Sequence, residues 1–327
     1  MLLHPATYLF YLTLATSVLI TVSANSWFIA WVGLEINMLV FIPLALSKKN
    51  KYSVESSLKY FLVQSLASIF IILASTFMTS SSLPLLTMAM LILKTGTPPF
   101  HQWLPAMVDG LSWPIFTLLM TAQKLSPLTL IFFLMKPDLL YLFITLCVLI
   151  SSLIGALGGL SQTSLRKILT YSSISHMAWT LQTLKMDSSL WLVYFTLYAF
   201  VLSTLTSILA SSQMSVLVNL SGANKSYISL ILALSVLSLA GLPPFTGFLP
   251  KLLATQLMLQ TSENYMMIPL LLSAYVTLFF YARVLLTALI LNASSSTTLN
   301  KEKKSSSVML SFSLVGLLVP SLSIMLL

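Results

Sequence analysis

Three lysines and one glutamate lie inside long apolar runs of this chain. Glu35 stands in Trp31-Val32-Gly33-Leu34-Glu35-Ile36-Asn37, and Lys94 in Met90-Leu91-Ile92-Leu93-Lys94-Thr95-Gly96. Lys124 directly follows Gln123, and Lys251 directly follows Pro250. A charged side chain at the centre of a bilayer costs roughly 2.5–3.5 kcal/mol on insertion scales, so such residues face a bundle interior or a water-filled cavity and mark ion or proton pathways. Burial works against the charged form of carboxylate and ammonium alike. Groups of both kinds at this depth are therefore candidates for taking up and releasing protons.

The segments that carry these residues must span a membrane. Of 327 residues, 57% are hydrophobic and 7% are charged, against about 45–50% and 25% in soluble domains. The apolar residues run from end to end, which predicts an all-α, polytopic membrane protein forming a single membrane domain over 1–327. A net charge of +9 sits in short loops without a binding motif, so it reports membrane orientation and not nucleic acid. Cys147 is the only cysteine, which excludes an internal disulfide and an iron–sulfur site built by it alone. There is no Gly-rich dinucleotide fingerprint and no Walker loop, so no cofactor is expected on this chain. The start, Met1-Leu2-Leu3-His4-Pro5, enters an apolar segment at once without a basic leader. It reads as a retained span, as in a protein made beside its own membrane.

A spanning helix needs about 20 apolar residues, and about eleven segments qualify: 5–23, 25–46, 53–79, 83–107, 113–135, 139–158, 164–185, 188–212, 226–258, 265–290 and 306–326. On this count Lys48, Lys49, Lys51, Arg166, Lys167, Lys225, Lys301, Lys303 and Lys304 share the side of Met1, and only Lys136 and Lys185 lie in loops opposite. The positive-inside rule then puts the N-terminus on the cytoplasmic or matrix face and the C-terminus across the membrane.

One motif occurs twice. Gly96-Thr97-Pro98-Pro99-Phe100 returns as Gly241-Leu242-Pro243-Pro244-Phe245, interrupting the fourth and the ninth segment. The unit between copies is five spans. Five is odd, so two such units run through the membrane in opposite senses. This predicts two inverted five-helix repeats with broken helices, over 1–136 and 137–291, plus one C-terminal transmembrane helix at 306–327. Broken helices at matching positions point to ion sites in transporters. Proline lacks an N–H and clashes with the carbonyl four residues back, and within a membrane the freed carbonyls need partners from neighbouring helices, side chains or water. The blander reading is a kink that serves packing alone.

Depth sharpens the candidate site. Glu35 and Lys124 fall at the midpoints of their segments, and Lys94 within about one residue of its own; at about 1.5 Å per residue all three lie near the bilayer centre. A lysine stem there does not reach headgroups about 15 Å away. Two readings compete for the set: a static structural ion pair, or a relay in which a Glu35–Lys94 pair is made and broken as a switch. His176, in Tyr171-Ser172-Ser173-Ile174-Ser175-His176-Met177, suits a proton relay and equally a satisfied core residue. His101, just past the first Pro-Pro, is placed to cap freed carbonyls. Arg283 reads as snorkelling or interfacial, and Glu263 as a loop residue.

At these residues a family becomes recognisable. The Glu35 segment, Lys94 with Pro98-Pro99-Phe100-His101-Gln102-Trp103-Leu104-Pro105, Gln123-Lys124-Leu125-Ser126-Pro127, Gly158-Gly159-Leu160-Ser161-Gln162-Thr163-Ser164-Leu165-Arg166-Lys167, and Gly241-Leu242-Pro243-Pro244-Phe245-Thr246-Gly247-Phe248-Leu249-Pro250-Lys251 together resemble the animal mitochondrial NADH-ubiquinone oxidoreductase chain 2 family. The likeness covers essentially the whole chain. It implies an antiporter-like, proton-translocating subunit of respiratory complex I in the mitochondrial inner membrane, with the N-terminus in the matrix and the C-terminus in the intermembrane space. Glu35, Lys94, Lys124 and Lys251 would be its proton-transfer residues, with His176 as a further relay candidate. The resemblance also implies neighbouring antiporter-like subunits and lipids as partners, and places NADH, flavin, iron–sulfur clusters and ubiquinone in other subunits. Bacterial relatives have fourteen spans, and animal forms resemble them without the first three. Two other classes share parts of this pattern: a stand-alone cation/proton antiporter and a purely structural membrane scaffold.

Overall fold

A computed structural model describes residues 5–46, 50–76, 83–135, 138–186, 189–212, 214–217, 226–261 and 263–290. The expected span at 306–326, and the expected loop lysines 48, 49, 136, 225, 301, 303 and 304, lie outside the described residues. The protein is helical, and no strand occurs among the described residues. In chain order the helices are α1 (Pro5–Val22), α2 (Trp27–Ala45), α3 (Lys51–Thr76), α4 (Leu83–Thr95), α5 (Trp103–Met107), α6 (Trp113–Met120), α7 (Ala122–Leu134), α8 (Asp138–Leu160), α9 (Leu165–Lys185), α10 (Leu190–Ser212), α11 (Ser226–Ala240), α12 (Phe248–Gln260) and α13 (Met267–Ile290). Short 3₁₀ turns occupy Val108–Gly110 and Asn264–Met266.

Among the described residues, six helical stretches are long and apolar enough to cross a membrane: Trp27–Ala45, Lys51–Thr76, Trp113–Leu134, Asp138–Leu160, Leu190–Ser212 and Asn264–Ala288. Helix α9 has the length but not the apolarity, and its burial supplies the reason. Every residue from Ser172 to Lys185 is buried, so this stretch faces protein and tolerates Ser172, Ser173, Ser175, His176, Thr180, Gln182 and Thr183. The hydroxyls among these return their protons to their own helix, as from Ser172 Oγ to the Leu169 carbonyl at 2.8 Å and from Thr180 Oγ1 to that of Met177 at 3.0 Å. That satisfies their protons within the helix.

The described residues of Met1–Ser151 form one compact unit and those of Ser152–Leu327 another. In the first unit α2 crosses α1 closely at Gly33, where a Cβ would lie 2.5 Å from Thr21 Cγ2 and 3.1 Å from the Ser17 carbonyl oxygen. Small residues at such crossings let membrane helices approach without a void. In the second unit Gly155 and Gly159 of α8 do the same against Ser175 of α9 and Phe280 of α13, where an added Cβ would meet backbone at 2.6 Å and the ring at 2.7 Å.

Both Pro-Pro motifs end a helix by the same hydrogen-bond pattern. Helix α4 stops with Gly96 N–H donating to Leu93 O (3.0 Å) and Thr97 N–H to Ile92 O (3.3 Å). Helix α11 stops with Gly241 N–H donating to Ser238 O (3.0 Å) and Leu242 N–H to Leu237 O (3.5 Å). These paired bonds, from i to i−3 and from i+1 to i−4, form the Schellman motif, which requires a left-handed residue at its turn. Gly96 (φ +71°) and Gly241 (φ +79°) supply it. A third break was not foreseen. Thr121, at φ −116° and ψ −82°, separates α6 from α7, three residues before Lys124 and with neither glycine nor proline beside it.

Candidate functional site

In the first unit the two lysines each stand beside a helix break. Lys94 occupies the last turn of α4 and is 6% exposed; Lys124 lies in the first turn of α7 and is 2% exposed. They line one small cavity together with Asn37 and Leu34 of α2, Tyr60 and Gln64 of α3, Trp103 of α5, and Gln123 and Ser126 of α7. It has room for roughly one water molecule. Both buried lysines are among the residues that line this space.

Side chains add further hydrogen bonds to the carbonyls of the last turn of α4. Trp103 Nε1 donates to Leu93 O at 3.1 Å, and Gln64 Nε2 to Lys94 O at 3.4 Å. Thr95 Oγ1 donates to Ile92 O at 2.8 Å. Trp103 and Gln64 thus take the capping role that the sequence suggests for His101. These contacts fix the last turn of α4, and with it the root of the Lys94 stem.

Around the cavity runs a chain of hydrogen bonds joining three helices. Tyr60 Oη donates to Gln123 Oε1 (2.9 Å), Gln123 Nε2 to Asn37 Oδ1 (2.9 Å), and Asn37 Nδ2 to Ser126 Oγ (3.2 Å). Buried polar groups are tolerated when they satisfy one another in this way. Sequence reading singles out none of these four as functional, because the partners lie 63 to 89 residues apart.

Glu35 stands on the same helix as Asn37 but does not line the cavity. It is partly exposed, and its Oε2 is enclosed without a hydrogen-bond partner among the described residues. It makes no ion pair with Lys94 within 4.0 Å, although its charge is felt at both Lys94 and Tyr60. The two groups are electrostatic neighbours and not a salt bridge in this state.

In the second unit Lys251, in the first turn of α12, reaches back over its break and donates from Nζ to the Ala240 carbonyl at 2.8 Å. Ala240 is the last residue of α11. His176, midway along α9, is 6% exposed and holds Nδ1 2.9 Å from Tyr194 Oη, with its ring centroid 5.0 Å from that of Tyr198. It lines a small cavity with Tyr194, Tyr198, Ser238, Gly247 and Pro250, so it borders the α11–α12 break in its own unit. Lys94 and Lys124 thus line one cavity in the first unit, and His176 borders the break that Lys251 closes in the second.

Two further charged groups have partners that the sequence does not reveal. Lys185, expected in a loop, is 8% exposed at the end of α9 and bridges Glu263 at 2.7 Å. Burial works to raise the Glu263 carboxyl, but the Lys185 ammonium bonded to it holds it below its ordinary value. Arg283, expected to snorkel, instead closes the end of α8. Its Nη1 donates to Leu160 O at 2.8 Å, and its Nη2 to Gln162 O at 2.7 Å and to Gly159 O at 3.3 Å.

Known proteins resemble this chain in sequence and in fold. The family described as the NADH:quinone oxidoreductase/Mrp antiporter transmembrane family matches residues 24–83 and 76–280. The NADH-ubiquinone oxidoreductase chain 2 of Anopheles gambiae is 39% identical over 298 residues, covering 87% of this chain and 86% of that one. Its counterpart in Aedes aegypti is 38% identical with the same coverage. A chain in the structure of respiratory complex I from Thermus thermophilus with bound aureothin has the same fold, with a TM-score of 0.83 at 22% identity, covering 97% of this chain and 78% of that one. The chain is a multi-pass inner-membrane protein that belongs to the NADH:quinone oxidoreductase/Mrp antiporter transmembrane family and, within it, to the NADH-ubiquinone oxidoreductase chain 2 group.

Proposed function

We propose that this chain is a core membrane subunit of respiratory complex I and serves as one of its proton-translocating modules. NADH oxidation and ubiquinone reduction, with their flavin and iron–sulfur clusters, take place in partner subunits. This chain contributes no redox step. Its described residues and the remainder together make about eleven spans in two inverted five-helix repeats and a C-terminal helix. The N-terminus faces the matrix, and the C-terminus faces the intermembrane space. A charge change arriving at Glu35 alters the field at Lys94. Lys94 and Lys124 then exchange a proton across their shared cavity, and Lys251, with His176 beside its break, carries the transfer in the second unit.

The observation that supports this reading best is that Lys94 and Lys124, both buried, line one polar cavity. A structural scaffold has no use for buried ammonium-bearing side chains beside a polar space, whereas a proton carrier does.

The test is Lys124→Met and Lys251→Met in coupled inner-membrane vesicles; methionine keeps similar volume, so cavity costs stay small. Each change is expected to slow NADH-driven quinone reduction per assembled complex and to lower proton translocation. Reduction of a hydrophilic acceptor by NADH, which bypasses the membrane arm, is expected to stay unaltered. Normal turnover and normal pumping per assembled complex in both variants would leave the lysines with a structural role only.

A further inference from the structure

Two tyrosines of the second unit carry hydroxyls that the packing does not use. Tyr198 of α10 and Tyr281 of α13 are 3% and 2% exposed, and the Oη of each is buried without a hydrogen-bond partner among the described residues. Ser173 and Ser172, consecutive on α9, lie close enough to Tyr198 and Tyr281 in turn to influence them. Neither serine turns its proton to a phenol. Ser173 Oγ donates to Thr170 O at 2.6 Å, and Ser172 Oγ to Leu169 O at 2.8 Å. A hydroxyl buried unbonded destabilises a fold, so each such group in a native protein calls for an explanation.

The surroundings of the two rings supply one. Tyr198 lines the cavity of His176 and Tyr194, its ring centroid 5.0 Å from that of His176. Tyr281 lines a different cavity, together with eight aliphatic side chains of α9, α10, α11 and α13. This second space has room for roughly one water molecule, and Leu165, the first residue of α9, is part of its wall. Tyr281 is in turn an electrostatic neighbour of both Tyr194 and Tyr198. Down α9 the order is therefore His176 beside Tyr194 and Tyr198, then Ser173 and Ser172 beside the two phenols, then Leu169 and Leu165 on the apolar cavity. From Leu165 to His176 the helix rises about 16 Å.

We infer that Tyr198 and Tyr281 carry protons between the membrane face at the start of α9 and His176, through water admitted to the apolar cavity. A phenol hydroxyl both donates and accepts, so each passes a proton on while taking one up. A hydronium ion entering beside Leu165 gives one proton to the chain of water and phenols, and every member of the chain releases one and gains one. Tyr194 Oη releases its own to His176 Nδ1, 2.9 Å away, and takes its replacement from the chain. The hydronium becomes water, the imidazole becomes imidazolium, and no other bond changes.

The aliphatic lining makes this passage a gate. An apolar space of this size is dry at rest, and hydrophobic constrictions close by dewetting. Protons pass only while water fills it. In the orientation proposed above, the start of α9 faces the matrix, so the passage is one of uptake. This inference rests on the role proposed for His176 and Lys251 and adds the residues that load them.

The experiment uses the assembled complex in inner-membrane vesicles with Tyr198→Phe, Tyr281→Phe or both, beside Lys251→Met. It reads thermal inactivation, coupled NADH:ubiquinone reduction and proton translocation. Loss of an unbonded hydroxyl should leave each phenylalanine variant at least as resistant to heat as wild type. Each is nevertheless expected to turn over several-fold more slowly, and the double variant no slower than the slower single one, since both cut one path. Lower heat resistance with wild-type turnover and pumping would give the phenols a structural role only and overturn the inference. Val284→Ile keeps both phenols and adds one methylene at the cavity, so it too should slow coupled turnover; a wild-type rate there would overturn passage through this space. Wild-type turnover in both phenylalanine variants beside a slow Lys251→Met would remove the phenols and leave the lysine relay standing. A Lys251→Met complex that pumps normally would remove the relay and this inference together.

Discussion

Lys251 closes its own helix break, its ammonium donating to the carbonyl of Ala240 at 2.8 Å. The lysine thus serves as the cap of α11 as well as a candidate proton carrier, and Gly241 makes the arrangement possible. A Cβ at Gly241 would lie 2.9 Å from Lys251 Cδ and 3.0 Å from Nζ, in addition to forcing a side chain into φ +79°.

Gly241→Ala is accordingly expected to do more than strain the turn. The left-handed conformation alone costs roughly 1–2 kcal/mol for a residue with a Cβ, and the same cost applies to Gly96→Ala at φ +71°. At Gly96 the added methyl meets Leu104 Cδ1 at 3.1 Å and Trp103 Cζ2 at 3.2 Å, and the leucine end can shift. Both variants should show faster thermal inactivation of the assembled complex. Gly241→Ala alone should also lose turnover per complex, because it displaces Lys251. Equal turnover in the two variants would mean that the position of the Lys251 ammonium is immaterial.

Arg283 is expected to behave as a structural cap. Its planar fork reaches three carbonyls at the end of α8, a geometry that a lysine does not reproduce. Arg283→Lys keeps the charge and one bond, and Arg283→Met leaves all three carbonyls without this donor. These bonds are exposed to half-buried, so each loss is that of an ordinary hydrogen bond, about 0.5–1.5 kcal/mol. Thermal inactivation should therefore accelerate in the order wild type, Arg283→Lys, Arg283→Met, with turnover per assembled complex unchanged. A snorkelling arginine would give wild-type stability in Arg283→Lys.

Much of this site follows from the order of residues, and the missing parts have a common cause. Lys94 and Lys124 are recognisable because a charge inside an apolar run has few places to go, and both are buried. The breaks after Thr95 and Ala240 are recognisable because glycine and paired prolines forbid a continuing helix. The break at Thr121 carries no such punctuation, since Met120, Thr121 and Ala122 are ordinary helix residues, and only packing places it. Tyr60, Gln123 and Asn37 look like scattered polar residues until α2, α3 and α7 come together. Lys185 and Glu263 are 78 residues apart, each beside a loop, and nothing local marks them as a pair. Side-chain partnerships across helices are long-range facts, whereas burial and helix breaks are local ones.

The Lys185–Glu263 bridge gives a prediction with a sign. Lys185 is 6% exposed in its side chain and Glu263 23%, so removing one partner strands a largely buried charge. Glu263→Gln or Lys185→Met should destabilise by about 1–3 kcal/mol, below the fully buried case because the carboxylate still meets solvent. The double variant should recover much of the loss. The Glu263 carboxyl is held below its ordinary value. The stabilisation it brings is therefore complete above the unfolded carboxylate range and is lost as pH falls through the lower folded value. Thermal inactivation of the wild-type complex should steepen on acidification, and Glu263→Gln should remove that share of the pH dependence. Additive losses in the double variant would show that the two side chains are not coupled.

Trp103 links the first break to the lysine cavity and allows the two roles to be separated. Its indole N–H caps Leu93 O at 3.1 Å, and its ring lies 6.2 Å from that of Tyr60. Trp103→Phe keeps an aromatic ring beside Tyr60 and deletes only the donor. The Leu93 carbonyl, one residue before Lys94, then loses its side-chain partner and keeps only the Gly96 N–H. Water drawn in from the cavity would restore the bond and loosen the last turn of α4. The expected result is normal assembly, a modest loss of thermal stability, and slower coupled quinone reduction, because the root of the Lys94 stem is no longer fixed. Trp103→Leu should be worse on both measures, since it also removes the ring from Tyr60. If Trp103→Phe pumps at the wild-type rate while only its stability falls, the cap holds the fold and has no part in placing Lys94.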